Sequence, residues 1–243
     1  MTTDTKANLA RGLISPILVL IATTALFGVF SVPPVGGADP PKDDKLSLVL
    51  GKMKEADGAL VCFEAAFKET CIDAILHDEE ISQGRLFYKK PDRVKWIYEE
   101  PAKKEFVLRE KEVWLYIPKI NQVQKIRLTD QKKLEALPVG LGKSPEESAS
   151  RYEVKLLESL EEEGKTIYRL LLVPKEDPQA VQPFQKIVLD IEDGVWLPAR
   201  RIELAETSGN RTIIELSSIK KKKDLNENLF KMPKGVEVVD YSK

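Results

Sequence analysis

Histidine is almost missing from this chain: His77 is the single one in 243 residues. Metal sites built on several histidines are therefore excluded. His77 lies in the charged connection AILHDEEIS, where it reads as a solvated turn residue and not as the base of a triad. Cysteine is nearly as scarce. Cys62 and Cys71 fall in one strand-like run, LVCFEAAFKETC, and nine residues of extended chain would hold them roughly 30 Å apart. A disulfide needs Cα atoms within about 7 Å, so both are expected free, as small buried apolar side chains. Net charge is lacking too. The 38 basic and 39 acidic residues leave −1, which offers no field for nucleic acid or an anionic membrane surface. The one basic run, residues 220–223, is followed by Asp224 and reads as a solvated strand end. No glycine-rich phosphate loop is present, since Gly140 and Gly142 only flank a leucine. Nothing repeats at a fixed period, which excludes propellers and solenoids. Carboxylates are plentiful, but they alternate with Lys and Arg along strand-like runs, where solvation accounts for them. The chain is therefore expected to be no enzyme, with no metal site and no cofactor.

A long hydrophobic run occurs once. Residues 13–30 form an uncharged stretch of 18 residues after Lys6 and Arg11, leading into SVPPVGGADPPKDD. A basic start, an apolar stretch and small residues describe a secretory signal, with cleavage after Ala38 or Ser31. Eighteen apolar residues also reach the lower limit for crossing a bilayer, so an uncleaved anchor is the alternative. Either way the rest is exported. The expected division is a signal peptide or membrane anchor over 1–38, a linker over 39–43 and one folded domain over 44–243.

What the chain has in quantity is β-forming sequence. Residues 84–123, GRLFYKKPDRVKWIYEEPAKKEFVLREKEVWLYIPKINQV, place four period-two runs in 40 residues, broken by KKPD, EEPAKK, REKE and PKINQ. Aromatic and β-branched runs between Pro-bearing or charged breaks predict an antiparallel meander. Along RVKWIY, Val94, Trp96 and Tyr98 share one face, with Arg93 and Lys95 on the other. Strands are expected at 60–69, 84–89, 93–98, 105–109, 112–117 and 123–128. After a break they resume at 152–160, 166–174, 184–192, 196–206, 211–219 and 236–241, with turn signals at EEEGK, EDGVW and TSGNR. The break holds TDQKKLEAL, a short helix stopped by Pro138, then the apolar loop LPVGLG, then a capping box at Ser144-Pro145-Glu146-Glu147. At the front, Leu46, Val49, Leu50 and Met53 form one stripe of a helix closed by Gly58. The pattern describes a long antiparallel sheet that curls, with helices on its concave side.

Apolar surface is what stands out. KTIYRLLLVP is apolar on both faces, and Phe106, Leu108, Val113, Leu115 and Ile117 add to it. Two outcomes fit: a filled core, or a hydrophobic pocket beneath short helices hinged at LPVGLG. The inward face of EVWLYI stays undecided, because Trp114 and Tyr116 oppose Val113 and Leu115.

Several pieces occur in a telling order: FEAAFKET, GRLFYKKPDRVKWIYEEP, EVWLYIPKINQV, ALPVGLG, IVLDIEDGVWLPARRIE, TIIEL and FKMPKGVEVVD. Together they span almost all of the chain after Asp44, and they resemble the LolA family of periplasmic outer-membrane lipoprotein carriers. The resemblance implies a half-barrel of about eleven antiparallel strands, mainly β with an α lid of short helices, enclosing an apolar cavity. It implies a monomer that binds the acyl chains of lipoproteins released by an inner-membrane ABC-type complex and delivers them to an outer-membrane receptor lipoprotein. A lipid- or peptide-sensing half-barrel that regulates a membrane complex is the alternative use of such a fold. On the carrier reading, Val94, Trp96, Phe106, Leu108 and Leu115 line the cavity with Tyr98 at its rim. Leu134, Leu137 and Leu141 form the lid underside. Family members often carry Arg just before the first Pro of this pattern, where it holds the lid. Here that position is Lys90, which donates hydrogen bonds without arginine's planar fork.

Overall fold

A computed structural model of the protein describes residues 44–110, 112–127, 150–176 and 183–242. The expected helix at 129–137, the loop LPVGLG, the capping box and the export segment lie outside the described residues, as do Leu134, Leu137 and Leu141. The described residues begin with a helix, α1 (Asp44–Ala59), and continue into β1 (Cys62–Ile72), β2 (Glu79–Lys89), β3 (Arg93–Glu100), β4 (Lys104–Arg109), β5 (Glu112–Ile117) and β6 (Gln122–Arg127). It resumes with β7 (Tyr152–Glu162), β8 (Lys165–Pro174), β9 (Phe184–Glu192), β10 (Arg201–Glu206), β11 (Arg211–Lys222) and β12 (Glu237–Asp240).

Among the described residues these strands make one 12-stranded sheet, ordered β12-β6-β5-β4-β3-β2-β1-β11-β10-β9-β8-β7. It is two meanders sewn together. The seam is the β1–β11 pair, running from Cys62 opposite Lys222 to Ile72 opposite Arg211. The β7–β8 hairpin turns over Glu163 (φ 52°) and Gly164 (φ 75°), a left-handed pair that matches the right-handed twist of its strands. The sheet forms the open, curled half-barrel expected, with three corrections. The twelfth strand lies parallel to β6, not antiparallel, because the chain leaving β11 crosses the back of the sheet to reach that edge. β2 starts at Glu79, well before Gly84, because it pairs along the whole length of β1; the acidic residues at its start hid it. The run 196–206 becomes strand only at Arg201. Its apolar first part is a buried turn that sends Leu197 and Ala199 into the core.

The inner face is the one α1 covers. There Val49 (0% exposed) and Met53 (1%) are buried, with Leu46, Leu50 and Ala56 packed beside them. Asp44 in the first turn suits the positive end of the helix dipole. Burying each of the two core side chains is worth about 1.5–3 kcal/mol, so docking on the sheet stabilises this helix more than its own propensity does.

The outer face carries a smaller cluster of Cys62, Phe87 and Val107, covered by Leu225 and Phe230. Those two sit on the segment after β11, which forms a short 3₁₀ turn at Glu227–Phe230. Lys89 holds that segment through Asp224 and Glu227, each at 2.7 Å, and Arg93 adds Glu227 at 3.0 Å. No helix among the described residues is long and apolar enough to cross a membrane.

Candidate ligand-binding wall

The alternation along RVKWIY sets the site. Val94, Trp96 and Tyr98 face inward, while Lys95 faces outward and pairs with Glu105 at 2.7 Å. Register then builds a block across three strands: Val94 stands opposite Leu108, Trp96 opposite Phe106, and Tyr98 opposite Lys104. One strand further, Leu108 faces Val113 and Phe106 faces Leu115. The sheet thus brings Val94, Trp96, Tyr98, Phe106, Leu108 and Leu115 onto one surface, all 5% exposed or less. Val113 belongs to the inner cluster, which settles the face of β5. Trp114 points outward, and its Nε1 has no hydrogen-bond partner among the described residues.

The wall is aromatic at its centre. Phe67 of β1 meets Trp96 edge-on at 4.7 Å and Tyr98 edge-on at 5.0 Å, a favoured geometry for ring pairs. Tyr168 and Trp196 stack at 5.7 Å on the other meander. Phe67 has a sequence signal, since Phe63, Ala65 and Phe67 alternate within FEAAFKET.

One end of the wall is polar. Glu69, only 1% exposed, accepts from the Tyr98 hydroxyl at 3.1 Å and from the Cys71 thiol at 3.5 Å. Ser82, opposite Glu69, and Thr212, opposite Cys71, are also buried. Tyr98 therefore lies inside the wall, not at an open rim. Burial pushes the Cys71 thiol well up from its ordinary value, and the Glu69 carboxylate raises it further. Cys62, on the same strand, is raised by burial as well. Both are free. Because the thiolate is the nucleophile, neither should react with Ellman's reagent at about pH 8 until the protein is unfolded. Rapid native labelling of Cys71 would show that this end of the wall is open.

Lys90 stands in the turn between β2 and β3. Its ammonium pairs with Asp57 Oδ1 at 2.8 Å and also donates to the Asp57 carbonyl in the last turn of α1. Its own backbone N–H donates to the Val61 carbonyl at 2.9 Å. A cation there complements the negative helix end and fastens α1 to the sheet. His77 is exposed in the β1–β2 turn. Among the described residues, no group of three or more His, Cys, Asp or Glu side chains could hold a metal ion. A groove of about 440 Å³ opens beside Gly84, but Lys68, Glu99, Glu100 and Glu215 line it and make it unsuited to hydrocarbon.

An open half-barrel with a deep apolar inner face and a helix fastened across it defines a class of ligand-binding protein. The chain belongs to the family described as outer membrane lipoprotein carrier protein LolA, whose sequence pattern matches residues 60–233. It is 28% identical over 191 residues to an outer-membrane lipoprotein carrier protein of Aeromonas salmonicida, covering 78% of this chain and 86% of that one. A carrier protein of the same description from Alkalilimnicola ehrlichii is 27% identical over 171 residues, covering 68% and 73%. Among solved structures, an uncharacterized conserved protein from Thermus thermophilus superposes with a TM-score of 0.53 at 14% identity, over 81% of this chain and 99% of that one. A structure of MucB gives 0.51 at 16% identity, over 82% and 67%. These last two likenesses are of fold.

Proposed function

We propose that this chain is a periplasmic carrier. It takes the acyl chains of lipoproteins against its inner wall and moves them from the inner to the outer membrane, binding without chemical change. It receives them from an inner-membrane ABC-type complex and passes them to an outer-membrane receptor lipoprotein; residues 1–38 direct export. The observation that carries this reading is the seat of α1, whose apolar stripe is buried in the same inner-face cluster as the aromatic wall and is fastened by the Lys90–Asp57 pair.

Burying hydrocarbon is worth about 0.8 kcal/mol per CH₂, so one 16-carbon chain exposed to water costs on the order of 10 kcal/mol. A carrier has to hide that chain and still release it. A helix that competes for the same wall does both, because its return offsets the loss of the ligand's contacts. Mass spectrometry of the protein from its native host should find acylated cargo. Protein that is empty, and that also refuses a triacylated lipopeptide in vitro, would sink the reading.

Lys90 gives a graded test. Lys90→Ala removes a part-buried ion pair and a helix-end cation, about 1 kcal/mol of closure. Apparent lipopeptide affinity should rise about fivefold while the melting temperature falls. Lys90→Arg should move affinity the other way. Affinity untouched by either change, in a fluorescence titration, would remove Lys90 from lid closure.

A further inference from the structure

The inner wall contains one charged side chain that the carrier reading leaves without work. Lys104 opens β4 and is only 4% exposed. It stands opposite Tyr98 and shares its face with Phe106 and Leu108, so it points to the ligand side of the sheet. Its ammonium lies 4.4 Å from the centroid of the Tyr98 ring. Among the described residues it makes no ion pair and no side-chain hydrogen bond. Lys95, the other buried lysine of this meander, is neutralised by Glu105 at 2.7 Å on the outer face. The contrast is chemical. A ring face attracts the charge of Lys104 but accepts none of the three N–H bonds an ammonium can donate.

The surroundings narrow what could accept them. Both carboxylate oxygens of Glu69 are engaged, by the Tyr98 hydroxyl and the Cys71 thiol. This end of the wall therefore offers donors from Lys104, while the buried Glu69 carboxylate, bonded to the same Tyr98, keeps negative charge beside them. A phosphate would bring unbalanced negative charge beside Glu69. A neutral group with strong acceptor oxygens would not. Next to hydrocarbon, such oxygens are the carbonyls of acyl esters and amides, where fatty chains join their head.

We propose that Lys104 is the anchor for the ester and amide carbonyls of an acylated N-terminus. Its place at the polar end fixes the head there, with the chains lying along Phe106, Leu108, Trp96 and Val94. This rests on the carrier reading and adds an orientation to it: a carrier with an undirected greasy wall has no need of a buried ammonium.

The test uses the full chain, a triacylated lipopeptide with ¹³C-labelled ester carbonyls, and N-phenyl-1-naphthylamine as a headless apolar probe. In Lys104→Met, the ratio of lipopeptide affinity to probe affinity should fall about tenfold. An unchanged ratio overturns the proposal. Infrared spectra of the wild-type complex supply a readout independent of the variant's folding. The labelled carbonyl band should move to lower frequency on binding, as hydrogen-bonded esters do. Lipopeptide bound with an unshifted band overturns Lys104's role and leaves the carrier reading standing. A wild-type protein that takes the probe but not the lipopeptide overturns both. Lys104-dependent competition by inorganic phosphate, without a band shift, assigns the site to an anion and likewise overturns the proposal.

Discussion

Trp96→Glu should abolish the folded state, with the loss of the sheet's circular dichroism and of soluble yield. Trp96 is 2% exposed, meets Phe67 edge-on at 4.7 Å and lies 6.4 Å from Tyr98. Its cross-strand neighbours are Leu86 and Phe106. Losing that packing costs about 3–5 kcal/mol, and a buried unpaired carboxylate adds several more. A domain stable by about 5–15 kcal/mol has little left. The outcome also reads out function. If the variant keeps the wild-type melting temperature, water reaches position 96, and the wall is an open cavity even without ligand. If it unfolds, the empty protein is closed and packed, and cargo has to displace α1 to reach the wall. Trp96→Phe then becomes the variant for uptake measurements, since it keeps an aromatic ring at the centre.

Gly84→Ala should be the most damaging single-methyl change in the first meander. A Cβ at position 84 would sit 1.9 Å from the Ile97 carbonyl oxygen and 3.1 Å from the Phe67 ring. Backbone cannot yield as a side chain tip can, so β2 and β3 would have to part where their register already shifts between Gln83 and Gly84. Overpacking of this kind costs about 1–3 kcal/mol or more. For a chain of this size that is a drop of roughly 2–12 °C in melting temperature. Gly84→Val should do worse. A melting temperature within about 1 °C of wild type in a calorimetric scan would mean that the two strands have slack there.

Gly84 also marks how far the primary structure could be read. It begins the motif GRLFYKKPDRVKWIYEEP, and the motif places a β-strand, a turn and a second strand correctly. The reason for glycine itself lies in Ile97, thirteen residues on, and in Phe67, on the preceding strand. β2 was half hidden because Glu79, Glu80 and Gln83 belong to a strand whose early residues are solvated. Leu197 misled in the opposite sense: a buried turn has the composition of a strand. Lys104 lay within a charged break, EEPAKK, though its spacing of two from Phe106 and four from Leu108 already put it on their face. The outer strap of Leu225 and Phe230 had no local signature, because what it covers is Phe87 and Val107 on distant strands.

By itself, the sequence determined the strand-rich class and the pairing of faces along each run. It also determined the lack of a multi-histidine site, because side-chain alternation and residue inventory are local properties. It placed Val94, Trp96 and Tyr98 together for that reason. Only the tertiary structure decided what they meet. The seam between β1 and β11, the reach of Lys90 to Asp57 and the gathering of Glu69, Cys71, Tyr98 and Lys104 all depend on strand register. Register is a long-range choice, fixed when one face of the whole sheet is buried at once, and no short segment contains it.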